Sequence, residues 1–173
     1  MAELALLIMC GRSPRHLYVA NRLFHAARVV GIVHETGREW TPKKVLKTLR
    51  PDNLWPKVRR KLRDRQRSAS GGEAQFFFGD SKPKLDRPDL VTLVPHINDP
   101  HAVELVDRLK PDVIAVFGTS LIRDPLLSRG RLGIINLHGG LSPKYRGVDC
   151  TFWALYNGEP EQIGCTVHFI DRA

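Results

Sequence analysis

Apolar residues run unbroken in short stretches through the first half of the chain. Leu4–Cys10 and Val29–Val33 are two such runs. A continuous apolar run suits a strand buried on both faces of a parallel sheet. Between them Ala20, Leu23, Phe24 and Ala27 recur at i, i+3, i+4 and i+7, which predicts a helix with one buried face. Gly11-Arg12-Ser13-Pro14 separates the first strand from this helix. Ser13 is expected to cap it, with Pro14 as the first helical residue. Strand, helix, strand in this order predicts a right-handed βαβ unit.

The pattern resumes at Leu90–Pro95, read as a strand. Asp99 then caps a helix that opens at Pro100 and buries Ala102, Leu105, Val106 and Leu109. Arg108 and Lys110 suit its carboxyl end. Strands follow at Asp112–Phe117, Gly133–Leu137 and Cys165–Ile170, with a helical turn at Pro125–Leu127 and a helix over Val148–Asn157. The sum is an α/β fold: a Rossmann-like, open, mostly parallel sheet with helices on both faces. The turn Cys10–Pro14 lies where such sheets bind ligands, but it lacks Gly-x-Gly-x-x-Gly, so a dinucleotide is disfavoured.

Length and charge sharpen this picture. One domain fits 173 residues, with enough chain to bury a core. No apolar run approaches a membrane span. The first run follows Glu3 and not a basic region, so it reads as a strand and not as a signal peptide. Cys10, Cys150 and Cys165 are odd in number and lack ligand spacing, so reduced thiols in a cytoplasmic protein are expected, with neither disulfides nor a metal. His96, His101 and His168 likewise have no metal-ligand spacing and read as structural or surface groups. Eleven Lys/Arg against Asp52 and Asp64 between Lys43 and Arg67 carry the whole net charge of +9. That segment reads as a basic helical insertion at about 40–72, broken by Pro51 and Pro56 and closed by the loop Ser68–Gly72. A solvated surface is the simplest reading. A surface for phosphates or nucleic acid is the alternative, with only Trp55 available inside the run for base stacking.

The chemistry gathers in Gly133–Gly147, GIINLHGGLSPKYRG. Asn136 and His138 share one face of a strand as the chain leaves the sheet. His138 can move a proton near neutral pH. Asn136 can donate to an oxygen that gains charge. Gly139 and Gly140 let a substrate or backbone approach the imidazole, and Pro143 turns Lys144, Tyr145 and Arg146 toward the same mouth. Taken alone, an Asn-x-His pair also caps turns or satisfies core groups.

The longer string is more specific. Asn136-Leu137-His138 followed by Leu141-Ser142-Pro143-Lys144-Tyr145-Arg146-Gly147 resembles the folate-dependent formyltransferases, which act on glycinamide ribonucleotide, methionyl-tRNA or amino sugars. Trp153–Glu159 and Gly164–Phe169 resemble further segments of that family, and the likeness runs from about Asp112 to Ala173.

The resemblance implies an N-formyltransferase catalytic domain over 1–173 that uses 10-formyltetrahydrofolate and no metal. Asn136 and His138 inherit the catalytic roles. Gly118, Thr119, Ser120 and Leu121 match in place the cofactor loop, although an ordinary strand-to-helix turn would look the same. Gly11, Arg12 and Ser13 match in place a phosphate-contacting loop, and Lys144 and Tyr145 would also face the acceptor. The acceptor is expected to be a small primary amine, an amino sugar on a nucleotide carrier, because His138-Gly139-Gly140 departs from the commoner His-Pro/Ala-Ser and no tRNA-binding domain follows. A homodimer is compatible with this reading. The family's third catalytic group, an Asp, is expected about four residues beyond Asp171, past Ala173. The chain alone is therefore expected to be a truncated domain that folds without turning over. Two other functions stay open: hydrolysis of the same folate, and a non-catalytic domain that binds nucleic acid or a partner through 43–67.

Overall fold

A computed structural model describes residues 3–37, 59 and 71–170. Six strands form one sheet: β1 (Ala5–Cys10), β2 (Arg28–Glu35), β3 (Val91–Val94), β4 (Val113–Phe117), β5 (Gly133–His138) and β6 (Thr166–Ile170). Their order is β3-β2-β1-β4-β5-β6. The first five run parallel, and β6 pairs antiparallel with β5. The helices are α1 (Pro14–Leu23), α2 (Gly72–Phe78), α3 (Pro100–Leu109) and α4 (Cys150–Tyr156). Among the described residues, no helix is long and apolar enough to cross a membrane.

Alternation along β1 builds both layers of the core. Leu7 and Met9 join Ala102, Leu105 and Val106 of α3 on one face. Leu6, Ile8 and Cys10 join Ala20 of α1 and Ala27 on the other. Every residue of β1 is buried, which is why its sequence shows no polar alternation. Burying one such Leu or Ile side chain contributes about 1.5–3 kcal/mol.

Helix starts differ from their expected chemistry in one case. Asp99 caps α3 as read from the sequence, its carboxylate accepting from the His101 amide at 2.9 Å. Ser13 does not cap α1 with its side chain. Its hydroxyl pairs instead with the His16 ring nitrogen Nδ1, at 2.9 Å. Lys110 ends α3 in the left-handed region, at φ 46°, and the backbone amide of Lys110 donates to the Val106 carbonyl at 2.8 Å.

Two boundaries also move. Gly72, expected to close a loop, opens α2, whose sequence GEAQFFF has no helical periodicity. The helix forms because its aromatics meet α1: Phe77 lies 5.1 Å from Tyr18, and Glu73 accepts the Arg15 amide at 2.9 Å. The helix expected over Val148–Asn157 starts at Cys150, after Asp149 takes φ 56°. The basic segment 43–67 lies outside the described residues apart from Arg59, as does Asp171.

Candidate active site

The chain moves outward from β1 to β2 and β3, then crosses back to β4. Loops leaving β1 and β4 therefore part at a topological switch point, where open parallel sheets bind ligands. Register places the relevant strand ends together: Cys10 pairs with Phe117, and Val116 with Asn136.

The two loops at the switch point touch. The Gly11 amide donates to the Phe117 carbonyl at 3.1 Å. A Cβ on Gly11 would lie 2.7 Å from the Gly118 oxygen and 2.5 Å from His16 Nδ1. Gly118 holds φ 67°, and a Cβ there would fall 2.1 Å from the same imidazole. Both glycines are needed because His16 packs over them. Arg12, next in the chain after Gly11, is exposed. Burial lowers the pKa of His16, with the Arg15 cation adding to the effect.

The loop Gly118–Leu121 is held by groups that sequence reading did not single out. The Glu35 carboxylate, at the end of β2, accepts the Ser120 amide at 2.7 Å and the Ile97 amide at 3.1 Å. Asn98 donates to the Leu121 carbonyl at 2.9 Å and accepts from the Arg123 amide at 2.7 Å. Thr119 donates its hydroxyl to the Ser120 carbonyl. The Ser120 amide is thus already committed. Leu121 leaves its side chain 71% exposed, an apolar surface open to a ligand. No periodicity marks Glu35 or Asn98 as partners of this loop, because they come from distant sequence.

Asn136 and His138 stand at the end of β5, each partly exposed. Asn136 Nδ2 lies 3.2 Å from His168 Nε2 across the β5–β6 pairing, where the two residues are in register. His168 Nδ1 lies 2.9 Å from the Phe169 carbonyl. A carbonyl only accepts, so Nδ1 carries the proton and Nε2 accepts from Asn136. This fixes the amide and leaves its second N–H and its oxygen for other partners. His168, read from sequence as structural or surface, is exposed and holds the Asn136 carboxamide. The signal that could have found it is the strand register, which a single sequence does not print.

His138 Nε2 lies 3.1 Å from the Tyr145 carbonyl and 3.5 Å from Cys150 Sγ. By the same reasoning Nε2 carries the proton in the neutral ring, and Nδ1 keeps the basic lone pair. The Cys150 thiol donates in turn toward the Gly147 carbonyl at 3.7 Å. Gly139 has open space where a Cβ would point, whereas a Cβ on Gly140 would lie 2.7 Å from Cys150 Sγ. Only the first glycine leaves room beside the imidazole for a substrate. The second lets α4 close on the loop.

Lys144 and Tyr145 are both tied to Glu159. Lys144 Nζ lies 2.7 Å from Glu159 Oε1, and the Tyr145 hydroxyl donates to Oε2 at 2.5 Å. Tyr145 is buried. Hydrogen bonds to Glu159 raise the pKa of both Lys144 and Tyr145, while the Lys144 and Tyr145 donors lower that of Glu159. Among the described residues, no cluster of three His, Cys, Asp or Glu is placed to hold a metal ion.

Fold and site together define an α/β protein whose polar pair is presented at the carboxyl end of a parallel sheet. Residues 59–173 match the family model described as formyl transferase, and the chain belongs to that family. It is 43% identical over 79 residues to the methionyl-tRNA formyltransferase of Chlorobium chlorochromatii (strain CaD3). That stretch is 46% of this chain but 25% of the relative, so the match spans a quarter of the relative's length. The fold is similar to that of phosphoribosylglycinamide formyltransferase from Anaplasma phagocytophilum, with a TM-score of 0.59 and 14% identity, covering 99% of this chain and 67% of that one. It is also similar to PvdF of pyoverdin biosynthesis, an N10-formyltetrahydrofolate-dependent formyltransferase, with a TM-score of 0.55 and 18% identity, covering 98% of this chain and 84% of that one. At these identities the two structures speak for the fold alone.

Proposed function

We propose that this chain carries the formyl-transfer centre of an N-formyltransferase, and that it passes a formyl group from 10-formyltetrahydrofolate to a primary amine in the cytoplasm. The observation that carries the proposal is the pair Asn136 and His138 at the end of β5, with the amide turned by His168 and the imidazole proton held on Nε2. The space over Gly139 and the exposed Leu121 side chain fit a bulky folate. The folate would supply an activated formyl carbon. The amine must lose a proton as it attacks, and His138 Nδ1 is the atom free to take it and to give it to the folate nitrogen as that nitrogen's bond to the formyl carbon breaks. Asn136 can donate its second N–H to an oxygen that becomes negative, which is where a fixed donor lowers a barrier most. Neither step asks the protein to rearrange its hydrogen bonds at Nε2 or at His168.

The acceptor we propose is an amino sugar on a nucleotide carrier. The exposed Arg12 guanidinium beside the switch point supports it, as a cation suited to a phosphate-bearing acceptor. The test is to supply the protein with 10-formyltetrahydrofolate and, in turn, a nucleotide-linked amino sugar, glycinamide ribonucleotide and methionyl-tRNA. It should be run on this chain and on one continued through the residues that follow in the longer relatives. Amine-dependent release of tetrahydrofolate, fastest with the amino sugar, is the expected result. Formate release without amine would replace transfer with hydrolysis. Silence toward folates, with salt-sensitive binding of nucleic acid, would replace enzymatic function with a binding role through 43–67.

A further inference from the structure

We propose that Glu159 is a positioning residue for His138 and acts on it through Tyr145. The inference rests on the reading of His138 as the group that moves the proton. Among the described residues, no side-chain oxygen contacts the His138 ring. Its Nε2 is held by a backbone carbonyl, that of Tyr145, at 3.1 Å. A carbonyl on a loop sets a tautomer only if the loop is itself fixed. The loop after β5 is fixed at Tyr145, whose side chain is buried against Cys150 and Ala154 of α4. The Tyr145 hydroxyl is the polar end of that anchor. It donates to Glu159 Oε2 at 2.5 Å and accepts from Asn157 Nδ2 at 3.1 Å. The hydroxyl thus has one donor and one acceptor partner, and each is supplied by the turn that ends α4. That turn is built to hold still: the Glu159 amide donates to the Ala154 carbonyl at 2.9 Å, and Gly158 turns the chain at φ 73°.

The consequence reaches His138 through three bonded steps, from carboxylate to phenol, along the Tyr145 residue to its carbonyl, and to Nε2. Without the carboxylate the phenol loses its acceptor and the loop can shift. The Tyr145 carbonyl then no longer holds the proton on Nε2. The proton is free to sit on Nδ1 instead, which removes the lone pair that would accept a proton from the amine. Lys144 shares the same carboxylate but has no route to the imidazole, so its loss should not move the tautomer.

The experiment is nitrogen-15 NMR of histidine-labelled protein, which reads the tautomer of His138 without any turnover. The native chain should show the proton on Nε2. Glu159→Ala and Tyr145→Phe should each shift His138 toward a mixture with the proton on Nδ1. Glu159→Gln keeps an acceptor for the phenol and should retain the native signal, as should Lys144→Met. In the form that transfers formyl groups, Glu159→Ala should lower kcat about ten-fold and leave KM within about two-fold, the signature of a misplaced proton acceptor and not of lost binding. The double variant Glu159→Ala/Tyr145→Phe should be no worse than either single one. A native tautomer in both single variants, with only a lowered Tm, would make Glu159 a structural residue and overturn the proposal. Should Glu159→Ala fail to fold, Tyr145→Phe decides alone, because it removes one hydroxyl and keeps the buried ring. A tautomer shift in a protein that transfers no formyl group would leave the positioning role standing and remove the formyl-transfer reading.

Discussion

Gly140 and His138 show how narrowly single atoms decide this site. Alanine at Gly140 would place a methyl group 2.7 Å from the Cys150 side chain and 2.8 Å from the Tyr145 carbonyl. Those are rigid neighbours, so something must move, and overpacking of this kind costs about 1–3 kcal/mol. Gly140→Ala should therefore lower the melting temperature by several degrees. Gly139→Ala meets nothing within 4 Å and should melt like the native chain, which calorimetry on the two variants checks. His138→Ala belongs to a different category. It removes the proton acceptor but few packing contacts, because the ring is only partly buried. Loss of turnover by about 10²–10⁴-fold with an unchanged melting curve is the expected outcome. Retained kcat would take the proton-transfer role away from this imidazole.

The edge of the sheet is organised by side chains that reach from one strand end to the next. Glu35 gathers the loops after β3 and β4 through the Ile97 and Ser120 amides, while Asn98 holds Leu121 and Arg123. Removing the carboxylate leaves two amides without their acceptor, which for the amide of the buried Ile97 costs about 1–3 kcal/mol and for that of the exposed Ser120 less, because water can replace the carboxylate. Glu35→Ala should destabilise the fold and speed hydrogen exchange at Ser120 and Ile97. Exchange as slow as in the native protein would show that the loop is held by Asn98 alone. At the carboxyl end of β5, Thr166 bridges by accepting the Ser142 amide at 3.0 Å and donating to the Gly140 carbonyl at 2.8 Å. These cross-links explain how residues on separate loops keep one geometry without a disulfide.

Among the described residues, the buried His34 and the half-buried His16 set a pH dependence. Burial depresses the pKa of His16 and of His34, and the nearby Arg15 and Arg12 cations respectively push in the same direction. Their unfolded values stay near 6.5, so below that pH the unfolded chain binds more protons than the folded one. Stability from these groups is full above about pH 6.5 and is lost as the pH falls from there through their folded values. His101 works in the opposite sense, since Asp99 raises its pKa, but both members of that pair are near solvent and screened. The depressed carboxylates Asp99, Asp107 and Asp112 lose their contribution only at lower pH, as they protonate. Melting temperature should therefore fall between pH 7 and 5, and His34→Gln should flatten that slope. An unchanged slope would place the acid sensitivity elsewhere. The Cys10 thiol, pushed up to about 12 by burial, stays protonated throughout and should resist alkylating reagents in the folded protein.

What the sequence by itself determined is the part governed by local periodicity and short-range chemistry. Continuous apolar runs give the strands near β1, β2 and β4, because residues buried on both faces have no polar alternation to hide. The α3 start was legible from Asp99-Pro100, since a cap needs only neighbours in sequence. Asn136 and His138 were legible because one strand carries both, two residues apart. Only the tertiary structure decided the rest. The helix at Gly72–Phe78, the hold of Glu35 on Ser120, and His168 beside Asn136 all join residues far apart in the chain or depend on packing against another element. Such contacts follow from strand order and register, and a one-dimensional pattern does not encode which strand end will lie beside which.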